Sequence, residues 1–318
     1  MTPLLAVQDI RVSFPLRGGF PGQSLSIDAV AGVSLQLEAG ETLGIVGESG
    51  SGKTTLARAI TGLVPVASGS VRFEEQELVG LDQRAFQGIR RRVAMMFQDP
   101  VGSLSPRLTV RSLITEPFRI HGVKGRDLDA EAKRLLRMVG LTEDFAGRFP
   151  FQLSGGQARR VGVARALALD PALIIADEPT AGLDVSVQGE VLNLLARLQQ
   201  ELGLAILIIT HNLNVVRHIT DRMAIMYLGR VVESGSTEAL FAAPRHPYTL
   251  ALLSANPEPD PDAVMNRLEI PGEVPSLLKR PAGCEFHTRC PFRGEGCDRE
   301  FPALSREDGR MFHCHYPR

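Results

Sequence analysis

The sequence predicts an α/β protein: a parallel sheet flanked by helices, a small antiparallel β subdomain, a helical insert and a cysteine-bearing C-terminal extension. Three observations predict it. Residues 47–54 read G-E-S-G-S-G-K-T, which fits the phosphate-loop pattern G-x-x-x-x-G-K-[ST] between a strand and a helix. Ala172 to Ala176 and Leu204 to Ile209 are unbroken apolar runs, as in strands buried on both faces of a parallel sheet. All four cysteines fall between Cys284 and Cys314, beyond a Pro-rich stretch from Pro257 to Pro261.

Composition is that of an ordinary globular protein, with 22% charged and 44% hydrophobic residues among 318. A net charge of -1 gives no global reason to expect nucleic acid or an acidic membrane surface. No apolar run is long enough to span a bilayer, and the N-terminal residues lack the basic start of a signal peptide, so a cytoplasmic location is expected.

In chain order, residues 4–14 and 30–37 read as antiparallel strands joined by a Gly/Pro-rich loop. Phe14 or Phe20 is a candidate to stack on an adenine, and simple packing explains either equally well. Glu41 to Val46 is a short buried strand, and Lys53 to Ile60 continues as a helix. Glycines at 47, 50 and 52 let backbone N–H groups face a phosphate, and the helix N-terminus adds partial positive charge. Lys53 is expected to reach the β- and γ-phosphates, and the Thr54 hydroxyl to sit on Mg²⁺. Strands follow at 68–74 and 93–97, the latter delivering Gln98 to bind water or Mg²⁺. A mostly helical insert covers 106–150, with a helix that stops at Gly140.

Ser154 and Gln157 have the S-x-x-Q spacing of a capping box at the start of the next helix. Capping does not explain Gly155 and Gly156, which cost helix stability by about 1 kcal/mol each. Close approach of a phosphate would. The 172–176 strand ends in Asp177 and Glu178, two adjacent carboxylates that Mg²⁺ would reconcile: Asp177 on the metal, Glu178 as general base toward water. Asp184 is expected to cap a long amphipathic helix ending at Gly203, and His211 stands at the tip of the 204–209 strand. A hairpin over 222–234 turning at Gly229 and a helix over 247–254 complete this part.

Taken in this order, the motifs resemble the ATP-binding subunit of ABC transporters, over nearly the whole chain. The resemblance implies an ABC-type nucleotide-binding domain over 1–255, with a RecA-like core and a helical subdomain at about 100–160, followed by an extension over 256–318. It implies ATP binding by Gly47, Glu48, Ser49, Gly50, Ser51, Gly52, Lys53, Thr54 and Thr55, and Mg²⁺ binding by Thr54, Gln98 and Asp177. Glu178, His211 and Gln98 would be catalytic, and Asp184 would belong to the D-loop. Ser154, Gly155, Gly156 and Gln157 would form the signature loop that acts on a partner's ATP.

Three stretches, 97–107, 226–233 and 244–254, are similar to the oligopeptide/dipeptide/nickel importer branch, most like the second of two paired ATPase subunits. Departures are Ala181-Gly182 where the branch usually has Ser-Ala, Ala158 for a basic residue, and Ser105 for Asn. The first removes a hydroxyl that would contact the opposite subunit. The implied partners are a paralogous ATPase subunit, two transmembrane permeases and an extracytoplasmic solute-binding protein, on the inner face of the membrane and without nucleic acid. A non-transport ABC ATPase, or an importer for nickel or another solute, is the alternative.

Cys284, Cys290, Cys297 and Cys314 lack the close pairs usual for zinc, and disulfides do not suit a reducing cytoplasm. Four thiolates in loops suit a [4Fe–4S] cluster, which some members of the branch carry. Zinc and a metal-free tail are the alternatives. The expected role is to staple a tail too small for its own core.

Overall fold

The computed structural model describes residues 2–16, 26–99, 102–256 and 268–318. Phe20 and the 257–261 linker lie outside them. In chain order come β1 (Leu5–Pro15), β2 (Ser26–Leu37), β3 (Thr42–Val46), α1 (Lys53–Ile60), β4 (Ser68–Phe73), β5 (Gln76–Glu77), α2 (Gln83–Arg92) and β6 (Val93–Met96). Next are α3 (Val110–Ile120), α4 (Leu128–Met138), α5 (Gly155–Leu167), β7 (Leu173–Asp177), α6 (Val185–Leu202) and β8 (Ala205–Thr210). The chain ends with α7 (Leu213–Ile219), β9 (Arg222–Tyr227), β10 (Arg230–Ser236), α8 (Thr237–Ala242), α9 (Pro247–Ser254), β11 (Ser305–Glu307) and β12 (Arg310–Phe312). Among the described residues no helix is long and apolar enough to cross a membrane.

Two compact units divide the chain: Met1–Leu4, Leu37–Thr42 and Gly80–Ile209 form one, and Leu5–Gln36, Leu43–Val79 and Thr210–Arg318 the other. In the first, β6, β7 and β8 run parallel, with Val93 opposite Leu173 and Leu173 opposite Ala205. Every residue of β7 and β8 is buried, as their unbroken apolar character requires. Helices α3, α4 and α5 pack on one another, and α4 buries Ala132, Leu135 and Leu136 before the chain leaves at Gly140 with φ 70°. Helix α2, which the sequence reading did not assign, buries Phe86 and Ile89, three positions apart on one face. Asp184 stands at the N-cap position of α6 but makes no side-chain cap bond, so its expected capping role is not realised. Gly203, φ 63°, does end that helix.

In the second unit, β2-β1-β4-β5 form one sheet, with β1 and β4 antiparallel. The order β11-β12-β10-β9-β3 forms the other; β3 and β9 are parallel and the remaining pairs antiparallel. The hairpin of β9 and β10 turns at Gly229, φ 81°. The C-terminal segment is built into this unit. Strand β12 pairs with β10, placing Phe312 opposite Glu233. Phe286, 1% exposed, packs edge-on to Tyr227 and tilted against Tyr248, with ring centroids 5.4 Å away in each case. Anchorage of the tail thus has an apolar and hydrogen-bonded basis.

Helix α9 opens at His246, whose Nδ1 accepts the Tyr248 N–H at 3.1 Å. The Glu233 carboxylate accepts the N–H groups of Arg245 and His246 at 2.7 and 2.9 Å. Burial, with His313 adding to it, pushes the His246 imidazole from 6.5 down to about 3. Between those values the unfolded chain takes up a proton that the folded chain refuses, so this residue makes stability fall as pH drops. Urea unfolding at about pH 7.5 and about pH 5 should show a smaller acid loss in His246→Asn, because Asn caps a helix without titrating.

Candidate functional site

In the second unit β3, buried throughout, carries the chain into the loop from Gly47 to Thr54. A Cβ at Gly47 would lie 2.1 Å from the Met226 carbonyl, and one at Gly52 2.3 Å from that of Ala29. Gly50 has φ +79° and faces open space. The loop therefore fits only glycine where its backbone is walled or twisted. Lys53 is 7% exposed, and its ammonium donates to the carbonyls of Gly47 and Glu48 at 2.7 and 2.8 Å and to Ser51 Oγ at 3.2 Å. Gly229 N–H donates to the Ser51 carbonyl at 2.9 Å.

Helix α1 begins at Gly52 without a side-chain cap, so the charge-attracting end of the helix is not closed by its own N-cap residue. Thr54 and Thr55 are half-buried in its first turn, and Ser49 is exposed at the loop's rim. This set fits an anionic phosphate: backbone walls, a buried ammonium and an open helix start. His211, just after β8, is exposed.

Two residues of this unit that sequence reasoning did not single out hold the loop from outside. Tyr248 Oη accepts the Glu48 N–H at 3.0 Å, and Arg289 pairs with the Glu48 carboxylate at 2.9 Å. The contacts span 200 and 241 positions in sequence, so no local pattern marks them.

In the first unit Asp177 ends β7 at 2% exposure and Glu178 follows at 8%. Glu178 has φ 51°, an unfavourable conformation for a residue with a side chain, and its N–H donates to the Ile209 carbonyl at 2.8 Å. Arg159 of α5, 4% exposed, donates to the carbonyls of Glu178 at 3.2 Å, of Pro179, and of Ala181 at 2.8 Å. Burial lowers its pKa, and this guanidinium clamps the turn that follows the carboxylates. Nothing in the helix pattern distinguishes Arg159 from a solvent-facing arginine. Gln98 lies two residues past β6 and is exposed.

The predicted reciprocal cap is present at α5: Ser154 Oγ accepts the Gln157 N–H at 3.3 Å, and Gln157 Oε1 accepts the Ser154 N–H at 3.0 Å. Ser154 and Gly155 are exposed. A Cβ on Gly156 would sit 2.8 Å from Val187 Cγ1, so close packing on α6 supplies a second reason for that glycine.

All four cysteines carry free thiols; Cys297 is buried and the others half-buried. The Cys284 N–H donates to the Cys297 carbonyl at 2.8 Å. Burial first, then the neighbouring thiols, push Cys284 up to about 12 and Cys314 up to about 11, and raise Cys290 as well. Among the described residues no group of three or more His, Cys, Asp or Glu side chains is arranged to hold a metal ion. Cys284, Cys290, Cys297 and Cys314, the residues expected to hold a [4Fe–4S] cluster or zinc, are thus not gathered into such a group here.

Comparison with known proteins places these features in context. The ABC transporter family model matches residues 30–181, and the oligopeptide/dipeptide transporter C-terminal region matches residues 232–297. A probable peptide ABC transporter ATP-binding protein of Sinorhizobium fredii is 49% identical over 98% of this chain and 89% of its own. The oligopeptide transport ATP-binding protein OppF of Escherichia coli is 45% identical over 95% of this chain and 92% of its own. A dimeric ATP-binding cassette, solved in a post-hydrolysis state with ADP and phosphate, matches with TM-score 0.65 and 31% identity, over 73% of this chain and 98% of its own.

Gly52→Ala should lower stability by about 1–3 kcal/mol, since it combines a strained φ with a backbone clash. Denaturant titration measures this, and a loss below about 0.5 kcal/mol would mean that the loop shifts freely to admit the methyl group.

Proposed function

This chain belongs to the ATP-binding proteins of ABC transporters, in the oligopeptide/dipeptide branch, whose work is ATP hydrolysis for peptide import, and on that premise we propose how its residues divide the work. The observation that carries the assignment is the Gly47–Thr54 loop with its buried Lys53 ammonium and the open start of α1.

In this reading the backbone from Gly47 to Thr55 binds the phosphates of ATP, and Lys53 neutralises the β- and γ-phosphates. Thr54, Asp177 and Gln98 would hold Mg²⁺, which would neutralise charge developing on the transferred group. Glu178 takes a proton from the attacking water, and His211 hydrogen-bonds the γ-phosphate. The backward-twisted backbone at Glu178, held by Arg159 through the following carbonyls, supports a catalytic part for that carboxylate.

The exposed start of α5, Ser154 to Gln157, serves the ATP of a second, paralogous ATPase subunit, with Asp184 and the D-loop at the same junction. Dimeric assembly in a related cassette supports this. The assembly docks on two transmembrane permeases at the cytoplasmic face of the membrane, and an extracytoplasmic binding protein delivers peptide or a related solute. The match at residues 232–297 favours an importer over a non-transport ABC ATPase.

For the tail we infer a metal centre at Cys284, Cys290, Cys297 and Cys314, of the [4Fe–4S] type with zinc as the alternative. Four free thiols in one segment, close enough for Cys284, Cys290 and Cys314 each to interact with other members of the set, support it. No step of hydrolysis passes through it. Anaerobically purified protein should contain iron and sulfide in equal amounts; zinc without iron would replace the cluster, and neither would remove the centre.

Glu178→Gln should bind ATP like the parent protein while turnover in the assembled transporter falls by about 10²–10⁴-fold, the usual share of a general base. Near-parental hydrolysis by that variant would reject Glu178 as the base.

A further inference from the structure

Three groups hold Glu48, the second residue of the phosphate loop. Its N–H donates to the Tyr248 hydroxyl at 3.0 Å, and its carbonyl accepts from the Lys53 ammonium at 2.8 Å. Its carboxylate receives both arms of the Arg289 guanidinium, at 2.9 and 3.3 Å. The paired geometry is the strong, orienting form of an arginine–carboxylate contact. Arg289 is 7% exposed, so water screens this pair less than a surface one.

Arg289 comes from the cysteine segment, one residue before Cys290. Phe286, three residues earlier, is buried against the rings of Tyr227 and Tyr248 and fixes where Arg289 stands. The Arg289 guanidinium also lies over the Tyr227 ring, 6.0 Å from its centroid.

The chemistry of the loop gives this contact a consequence. A carboxylate on a phosphate-binding loop opposes the anion that the loop must receive. Two N–H bonds from Arg289 cancel that charge and fix the direction of the carboxylate. The same grip fixes the residue whose carbonyl holds Lys53, so less of the loop remains to be ordered when nucleotide arrives.

We propose that Arg289 is a positioning residue for the phosphate loop: by neutralising and fixing Glu48, it makes nucleotide affinity depend on the docked cysteine segment. This rests on the assignment of ATP to the loop.

The test is titration of the full-length chain with a fluorescent ATP analogue, alongside thermal unfolding of each variant. Arg289→Gln should weaken binding about ten-fold, and Arg289→Lys, which keeps the charge but not the fork, less than about three-fold. Adding Glu48→Gln to Arg289→Gln should restore most of the loss, because the uncancelled carboxylate is then gone. Glu48→Gln alone should tighten binding about three-fold, with the Arg289 cation left unopposed near the phosphates.

Binding by Arg289→Gln within two-fold of the parent overturns the proposal. A double variant as weak as Arg289→Gln also overturns it, leaving Arg289 a docking contact only. Should Arg289→Gln not fold, Glu48→Gln alone decides, and weaker or unchanged binding in that variant rejects the role. Failure of the parent chain to bind the analogue would instead refute the ATP assignment itself, and this proposal with it.

Discussion

An ammonium group taken almost entirely out of water must be met by oxygen, and Lys53 meets the carbonyls of Gly47 and Glu48 and the hydroxyl of Ser51. That requirement shapes its surroundings. Two carbonyls can turn toward one side chain only if the loop curls tightly, and the curl brings Gly47 against Met226 and Gly52 against Ala29 with no room for a Cβ. Strand β9, which holds Met226, pairs in parallel with β3, and Gly229 at the next turn bonds the Ser51 carbonyl. The loop is thus set by its neighbours before any ligand arrives, and preorganised donors are what a highly charged phosphate rewards.

The carboxylate end of the first unit follows a related logic with different means. Glu178 adopts a backbone conformation that costs free energy, of order 1–3 kcal/mol. Arg159 helps to offset it by donating to three carbonyls of that turn, those of Glu178, Pro179 and Ala181. Arg159 stands on α5, the helix that Ser154 caps, so one helix carries both the exposed capping-box turn and the side chain that holds the strained carboxylate turn. The small size of Gly156 lets that helix sit close on α6.

Local chemistry was legible in the sequence, and long-range chemistry was not. Helix α1 and helix α9 run over the residues that spacing predicts, and the Ser154–Gln157 cap is made as its spacing requires, because each depends on neighbours within a turn. The phosphate loop could be read for the same reason. Arg159, Arg289 and Tyr248 escaped because their partners lie 19, 241 and 200 positions away. Asp184 shows the converse error: a good cap residue in the right place whose side chain makes no cap bond. For the tail, the four cysteines marked a local site, but nothing in their spacing shows that Phe286 and β12 tie the segment into the unit that carries the phosphate loop.

Strand β12 has a bearing on the order of synthesis. Its residues, Arg310 to Phe312, leave the ribosome long after β10, yet they pair with it in the unit that also contains β1 and the Gly47–Thr54 loop. At roughly 5–20 residues per second of translation, the outer side of β10 stays without its mate for several seconds. A nascent or prematurely terminated polypeptide would display that open edge, an invitation to adventitious strand pairing and a mark by which quality-control proteases can recognise an unfinished copy.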